Sequence, residues 1–173
     1  MVKGKVCFRI LLLICLAHFS ACQEKTIQVG ESGKTAYLRN SLVSFEFDLS
    51  RGTYRVLNGK DGTVVVSDAS LRINDWSSDD PELNRSWKKH RVSDRLGKGM
   101  AMDLKLEAAN RPETHFTFVL YENQGYLSAY CGIRNTTDQP IQVREIYLMS
   151  GGGLYEGLDM SENFAMVDGF SGG

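Results

Sequence analysis

The sequence predicts an all-β fold, an antiparallel β-sandwich. Three observations carry that prediction. First, four runs with apolar residues mostly at every second position fill the stretch from Met100 to Met149. Met102, Leu104 and Leu106 alternate with Asp103, Lys105 and Glu107; Phe116, Phe118 and Leu120 alternate with Thr117, Val119 and Tyr121. The third run covers residues 126–135 and the fourth residues 141–149. Successive side chains of a strand point to opposite faces, so this period marks half-buried strands. Second, the connections are short and carry Asn, Gly, Asp and Pro, which favours antiparallel neighbours. Third, no coiled-coil heptad and no fixed-period repeat is present, so helix content should be low.

In chain order, residues 22–41 are polar, with Gly30, Ser32, Gly33 and scattered charges, and read as a tether ahead of the sandwich, partly strand-like near Tyr37. The sandwich domain is expected over residues 42–173. Residues 42–49 alternate around Val43, Phe45 and Phe47, and Ser50-Arg51-Gly52 is a turn. Residues 53–57 form the next strand. Asn58-Gly59 and Asp61-Gly62 tolerate positive φ and predict a hairpin to residues 63–66. Residues 69–73 read as a further strand. The pattern then breaks: residues 74–89 are charged and irregular, and hold both Trp76 and Trp87. A long excursion of this kind is a candidate contact surface, because functional residues concentrate on long loops. Asp75, Trp76 and Trp87 are the candidate carbohydrate or interface contacts, since aromatic faces stack on sugars and anchor interfaces. The alternative is that both indoles cover the sandwich rim. A short strand at residues 90–93, a tight turn at 94–99 and a last strand at 161–167 complete the expectation.

Composition narrows the function classes. A chain of 173 residues, 42% hydrophobic, is long enough to bury one core. Its formal charge of −1, without a long basic run, argues against nucleic acid as a partner, since phosphate contacts need clustered cations. Residues 1–21 have the build of a signal peptide: Lys3, Lys5 and Arg9, then an apolar stretch at 10–17, then small residues. The apolar stretch is too short to span a bilayer as a mature helix, which takes roughly 20 residues. Phe19-Ser20-Ala21-Cys22 resembles a bacterial lipobox, with Cys22 as the lipidation site and a membrane anchor as its consequence; simple cleavage after Ala21 is the alternative. Export would place the protein in the periplasm or on the outer membrane. Losing Lys3, Lys5 and Arg9 takes the formal charge from −1 to −4. Cys131 would then be the one thiol not lipidated, with buried packing as its expected role.

Several motifs fail on mechanics. Gly169-Phe170-Ser171-Gly172-Gly173 matches G-x-S-x-G, but the nucleophile elbow needs a following helix and later acid and His partners. Gly97-Lys98-Gly99 lacks the G-x-x-x-x-G-K-[ST] frame of a phosphate loop and leads into a strand. Asn58 to Gly62 lacks the acidic spacing of a calcium loop. Beyond the leader the histidines are His90 and His115, 25 positions apart, with no Cys pair; no metal or cofactor is expected. Asp75, Asp79, Asp80, Glu82 and Asp94 could supply paired carboxylates, but order along a loop does not make them converge. Asn84-Arg85-Ser86 and Asn135-Thr136-Thr137 match the glycosylation sequon, which a bacterial leader leaves empty.

A family resemblance adds to this reading. Phe45-Glu46-Phe47-Asp48 with Gly52-Thr53-Tyr54, the turn at 94–99, the run from Tyr130 to Asn135 with Ile141-Gln142-Val143, and the closing Asp168-Gly169-Phe170-Ser171-Gly172-Gly173 resemble the N-terminal domain of bacterial α-galactosidases of the melibiase type, glycoside hydrolase family 36. The likeness spans residues 42–173. It implies a β-supersandwich similar to the galactose-mutarotase-like fold, placed ahead of a catalytic (β/α)8 barrel. The family's catalytic Asp residues belong to that barrel, so no catalytic residue is expected here, and the family sandwich would continue past Gly173. The partners implied are an α-galactoside or other carbohydrate, the barrel domain, and further copies in an oligomer. Three functions stay open: a non-catalytic N-terminal domain of an exported α-galactosidase-like enzyme, a stand-alone carbohydrate-binding lipoprotein, and a structural fragment with uncovered apolar strand faces.

Overall fold

The computed structural model describes residues 26–109 and 111–154. Their regular structure is entirely β: twelve strands in two antiparallel sheets. The first sheet, sheet A, orders as β1 (Gln28–Ser32), β2 (Thr35–Arg39), β3 (Val43–Asp48), β4 (Thr53–Asn58), β5 (Val64–Ile73) and β11 (Ile146–Ser150). The short strands β6 (Trp76–Ser77) and β12 (Gly153–Leu154) also pair with β5. Sheet B orders as β10 (Leu127–Arg134), β9 (Glu113–Tyr121), β8 (Gly97–Glu107) and β7 (Asn84–Asp94). The antiparallel sandwich is therefore present. The signal segment, Cys22 and the strand expected at 161–167 lie outside the described residues.

The core forms where the inner residues of the two sheets meet. Ala36, Leu38, Phe45 and Phe47 from sheet A pack with Met102, Leu104, Phe116 and Phe118 from sheet B, all buried. These are the residues whose period of two marks one face of each strand. Phe45 stacks on Phe118 with ring centroids 4.2 Å apart, which fixes β3 beneath β9. Burial raises the pKa of Tyr54 to about 12, and its hydroxyl donates to the Leu148 carbonyl at 2.7 Å, so a buried polar end is satisfied across the sheet.

Several boundaries differ from the expectation, each for a physical reason. The polar stretch read as a tether supplies β1 and β2, and Ala36 and Leu38 are fully buried in the core. Its Gly33 takes a φ of 64° at the hairpin tip, so the glycine that looked like a linker is a turn residue. Residues 63–66 and 69–73 are one strand, β5, whose ladder with β4 is interrupted by register shifts around Val56; Asp68 adopts a φ of 48° within it. The irregular stretch ends at Leu83, because residues 84–89 belong to the eleven-residue β7. Of the fourth run, only its end, Ile146–Ser150, forms a strand, and in sheet A, not beside β10. The glycines after it are ordered: Gly152 has a φ of 75° and is pressed against the Ser67 carbonyl.

Candidate functional site

The residues singled out in the sequence do not converge. Asp75 is exposed at the tip of the two-residue turn between β5 and β6. Trp76 is half-buried at the β5 edge, lining a narrow apolar cleft with Ile73, Leu83, Leu106 and Arg111. Trp87 is on β7, at the far side of the sandwich; its Nε1 donates to Glu31 Oε2 at 2.7 Å, closing β7 over β1. Both indoles pack on the core cluster, so they cover its two opposite margins.

The segment between them is held too tightly to be a free recognition loop. Arg85 Nε donates to the Ser78 carbonyl at 2.7 Å and Nη1 to that of Leu83 at 3.3 Å, while Nη2 donates to the Asp80 carbonyl. Burial lowers the pKa of this guanidinium, although nearby Asp79 and Asp80 oppose the shift. Arg111 pairs with Asp80 at 2.6 Å. Asp80 is held below the usual carboxylate range by the Glu82 N–H and then by Arg111.

The outer face of sheet B offers a different arrangement. Registers across the sheet place Tyr130, Thr117, Asp103 and Lys88 in one transverse row on β10, β9, β8 and β7. Directly opposed residues of an antiparallel ladder share a face. Tyr130 is 53% exposed and Asp103 only 8%. Asp103 Oδ1 accepts the Thr117 hydroxyl at 2.6 Å. Its Oδ2 lies 3.1 Å from His90 Nδ1 and 3.9 Å from Lys88 Nζ. A carboxylate only accepts, so His90 donates through Nδ1 and keeps Nε2 for another partner. The row on one side runs Gly132, His115 and Lys105; the row on the other runs Ser128, Val119 and Ala101, of which Val119 and Ala101 are buried. The Asp103 row thus has a tyrosine ring at one end and a cation and an imidazole at the other. Tyr130 and Asp103 are two strand spacings apart, roughly 10 Å, enough for one pyranose ring.

A second charged cluster continues this face. Lys105 Nζ binds Glu107 and Glu113, each at 2.7 Å, and His115 Nε2 lies 2.7 Å from Glu113 Oε1. The Lys105 ammonium, then the His115 ring, hold the Glu113 carboxyl down at about 2. Asp103 and Glu113 are about four residues and one strand apart, roughly 14 Å. The two carboxyls of a glycosidase stand about 5 Å or 6.5–9.5 Å apart, so this pair does not have that geometry. At the end of the face, Tyr121 donates to Asp94 Oδ2 at 2.7 Å, and that carboxylate raises the pKa of the phenol.

A shallow polar depression of about 400 Å³ on the outer face of sheet A is the rival site. Its Glu46 is bound by Arg55 at 2.6 Å and its Asp68 by Arg51 at 2.9 Å. Asp48 caps its own turn through the N–H groups of Ser50 and Arg51. The nearby Tyr37 ring carries the Arg39 guanidinium on one face at 4.7 Å, whereas Tyr130 is 53% exposed. Among the described residues no group of three or more His, Cys, Asp or Glu side chains could hold a metal ion.

Sequence reasoning passed over Tyr130, Asp103 and His90 because each sits in an ordinary strand alternation. The available signal was a buried-type acid, Asp103, at an outward position between apolar residues. Comparison with known proteins gave no match to a family model, a curated protein or a solved structure.

Proposed function

We propose that this chain is a non-catalytic β-sandwich domain of an exported α-galactosidase-like glycoside hydrolase, and that it holds carbohydrate on the outer face of sheet B. The observation that carries the sugar contact is the row Tyr130–Thr117–Asp103–Lys88, with its open ring and its buried, hydrogen-bonded acid. Tyr130 stacks on the apolar face of a pyranose, as aromatic platforms do. Lys88 Nζ and His90 Nε2 meet the hydroxyls on the opposite side. Asp103 is a positioning residue, orienting His90, Lys88 and Thr117. The family resemblance of residues 42–173 supports the enzyme context, and the leader with Cys22 supports export.

Isothermal calorimetry with an α-galactosyl oligosaccharide tests the sugar contact. The parent chain should release heat that Tyr130→Ala abolishes. His90→Ala should weaken affinity about tenfold, the loss of one hydrogen bond to a charged or polar partner. No heat with the parent, or unchanged heat with Tyr130→Ala, contradicts the reading. An aryl α-galactoside should be left intact by the isolated chain; hydrolysis would overturn the non-catalytic assignment.

A stand-alone carbohydrate-binding lipoprotein is the second reading. It is favoured by the fact that the whole Tyr130 to Lys88 row comes from this chain. The two readings separate on whether adjoining coding sequence specifies a barrel with catalytic Asp residues.

A further inference from the structure

Cations outnumber acids at one end of the sandwich. Lys89 and Arg91 of β7 and Lys98 of β8 line an open depression of about 1040 Å³ together with Thr26, Ile27 and Glu122, and Glu122 is the only acid among its lining residues. Lys89 Nζ donates to the Val29 carbonyl at 3.1 Å. The side chains of Arg91 and Lys98 are exposed and form no ion pair or hydrogen bond among the described residues. In a chain whose formal charge is −4 once the leader is lost, this is a local reversal of sign. The turn beside it is apolar at its tip. β7 and β8 join through Arg95-Leu96. Asp94 braces that turn: Oδ1 accepts the Leu96 N–H at 2.8 Å and Oδ2 the Tyr121 hydroxyl at 2.7 Å. Leu96 is 51% exposed, and Lys98 pairs with Ser93 at the same end of the hairpin. A projecting leucine flanked by cations suits a bilayer interface, with the apolar group among acyl chains and the cations at the headgroups.

The anchor point lies close by. Thr26, which lines the same depression, is four residues after Cys22. Four residues reach at most roughly 14 Å, so a lipid on Cys22 holds this end of the sandwich near the bilayer surface. We infer that, on the reading of Cys22 as the lipidation site, Lys89, Arg91, Lys98 and Leu96 form a second membrane contact, taking the phosphate headgroups of anionic phospholipids. Opposite charge draws the depression to such a surface, and the exposed Leu96 gains from acyl chains what a soluble anion could not offer. The sugar row stays accessible. Lys88 and His90 alternate with Lys89 and Arg91 along β7, so the two contacts use opposite faces of that strand.

Vesicle cosedimentation at low salt tests this with the mature chain, residues 22–173, carrying Cys22→Ser so that no lipid contributes. It should bind phosphatidylglycerol vesicles and leave phosphatidylcholine vesicles alone. A cation at the surface is worth about fivefold in partition, so Lys98→Gln should bind about fivefold more weakly and Arg91→Gln with Lys98→Gln about 25-fold. Glu122→Gln should bind more tightly. Lys34→Gln, at the far end of β1, should match the parent. Leu96→Trp should add emission that shifts to the blue on phosphatidylglycerol alone. Equal binding to both lipids, or unchanged partition in the double variant, would overturn the inference. So would release by inorganic phosphate at an ionic strength where chloride releases nothing, which marks a site for the free anion. Mass spectrometry of the exported chain tests the anchor separately. A lipid on Cys22 without vesicle binding by the Ser variant overturns the contact and leaves the anchor; binding without a lipid supports the contact and overturns the anchor.

Discussion

Gly52 and Ser78 show how single residues weld the connection after β5 to the sandwich. Ser78 is fully buried; its hydroxyl donates to the Gly52 carbonyl at 2.6 Å and accepts the Leu71 N–H at 2.8 Å. Ser78→Ala leaves both backbone groups unpaired, and urea unfolding should show a loss of about 2 kcal/mol. Gly52 has a φ of 74°, and a Cβ there would fall on the Ser78 carbonyl. Gly33 has a similar φ of 64° with open space around it. Gly33→Ala should cost about 1 kcal/mol for the left-handed backbone alone. Gly52→Ala should cost clearly more, because strain and collision add. Equal midpoints for the two variants would contradict this assignment of the turn.

At the scale of elements, β8 and β9 were legible because their alternation is regular and one face is buried throughout. Phe116, Phe118, Leu104 and Leu106 all point where their period places them. β7 was not legible. Its exposed Lys88, Lys89, His90 and Arg91 are what an edge strand uses to block further pairing, and they hide the weak Trp87 and Val92 signal. β1 was missed, and β2 was read only as strand-like near Tyr37, for a related reason: Gln28, Glu31 and Thr35 read as linker, while Val29, Ala36 and Leu38 carry the inward face. The charged rows of sheet B make a prediction of their own. Glu113 titrates near 2 in the folded protein against an ordinary value of 4.5. Its depressed pKa stabilises the fold above about pH 4.5, and that contribution disappears as pH falls toward 2. Thermal unfolding followed across this window should show Glu113→Gln losing less stability on acidification than the parent. A parallel decline would mean that Lys105 and His115 do not hold this carboxylate in solution.

At the scale of the whole molecule, the sandwich joins a filled core to outer sheet faces of different character. The core side is filled by Phe45, Phe47 and Phe118; Phe45→Ala should cost about 3–5 kcal/mol, read as a lower urea midpoint, because it empties the stack between the sheets. The outer face of sheet B carries the proposed sugar contact. The class of fold could be read from period and turns, whereas the face proposed to hold sugar could not, since it is assembled from four strands whose register no local pattern reveals. The most direct measurement is amide chemical-shift mapping of the labelled chain during titration with an α-galactosyl oligosaccharide. The account predicts shifts gathered around Tyr130, Thr117, Asp103 and His90, with Trp76 and Trp87 silent. Shifts centred on Asp75 and Trp76 or on the Trp87 indole, or none at any sugar concentration, would contradict it.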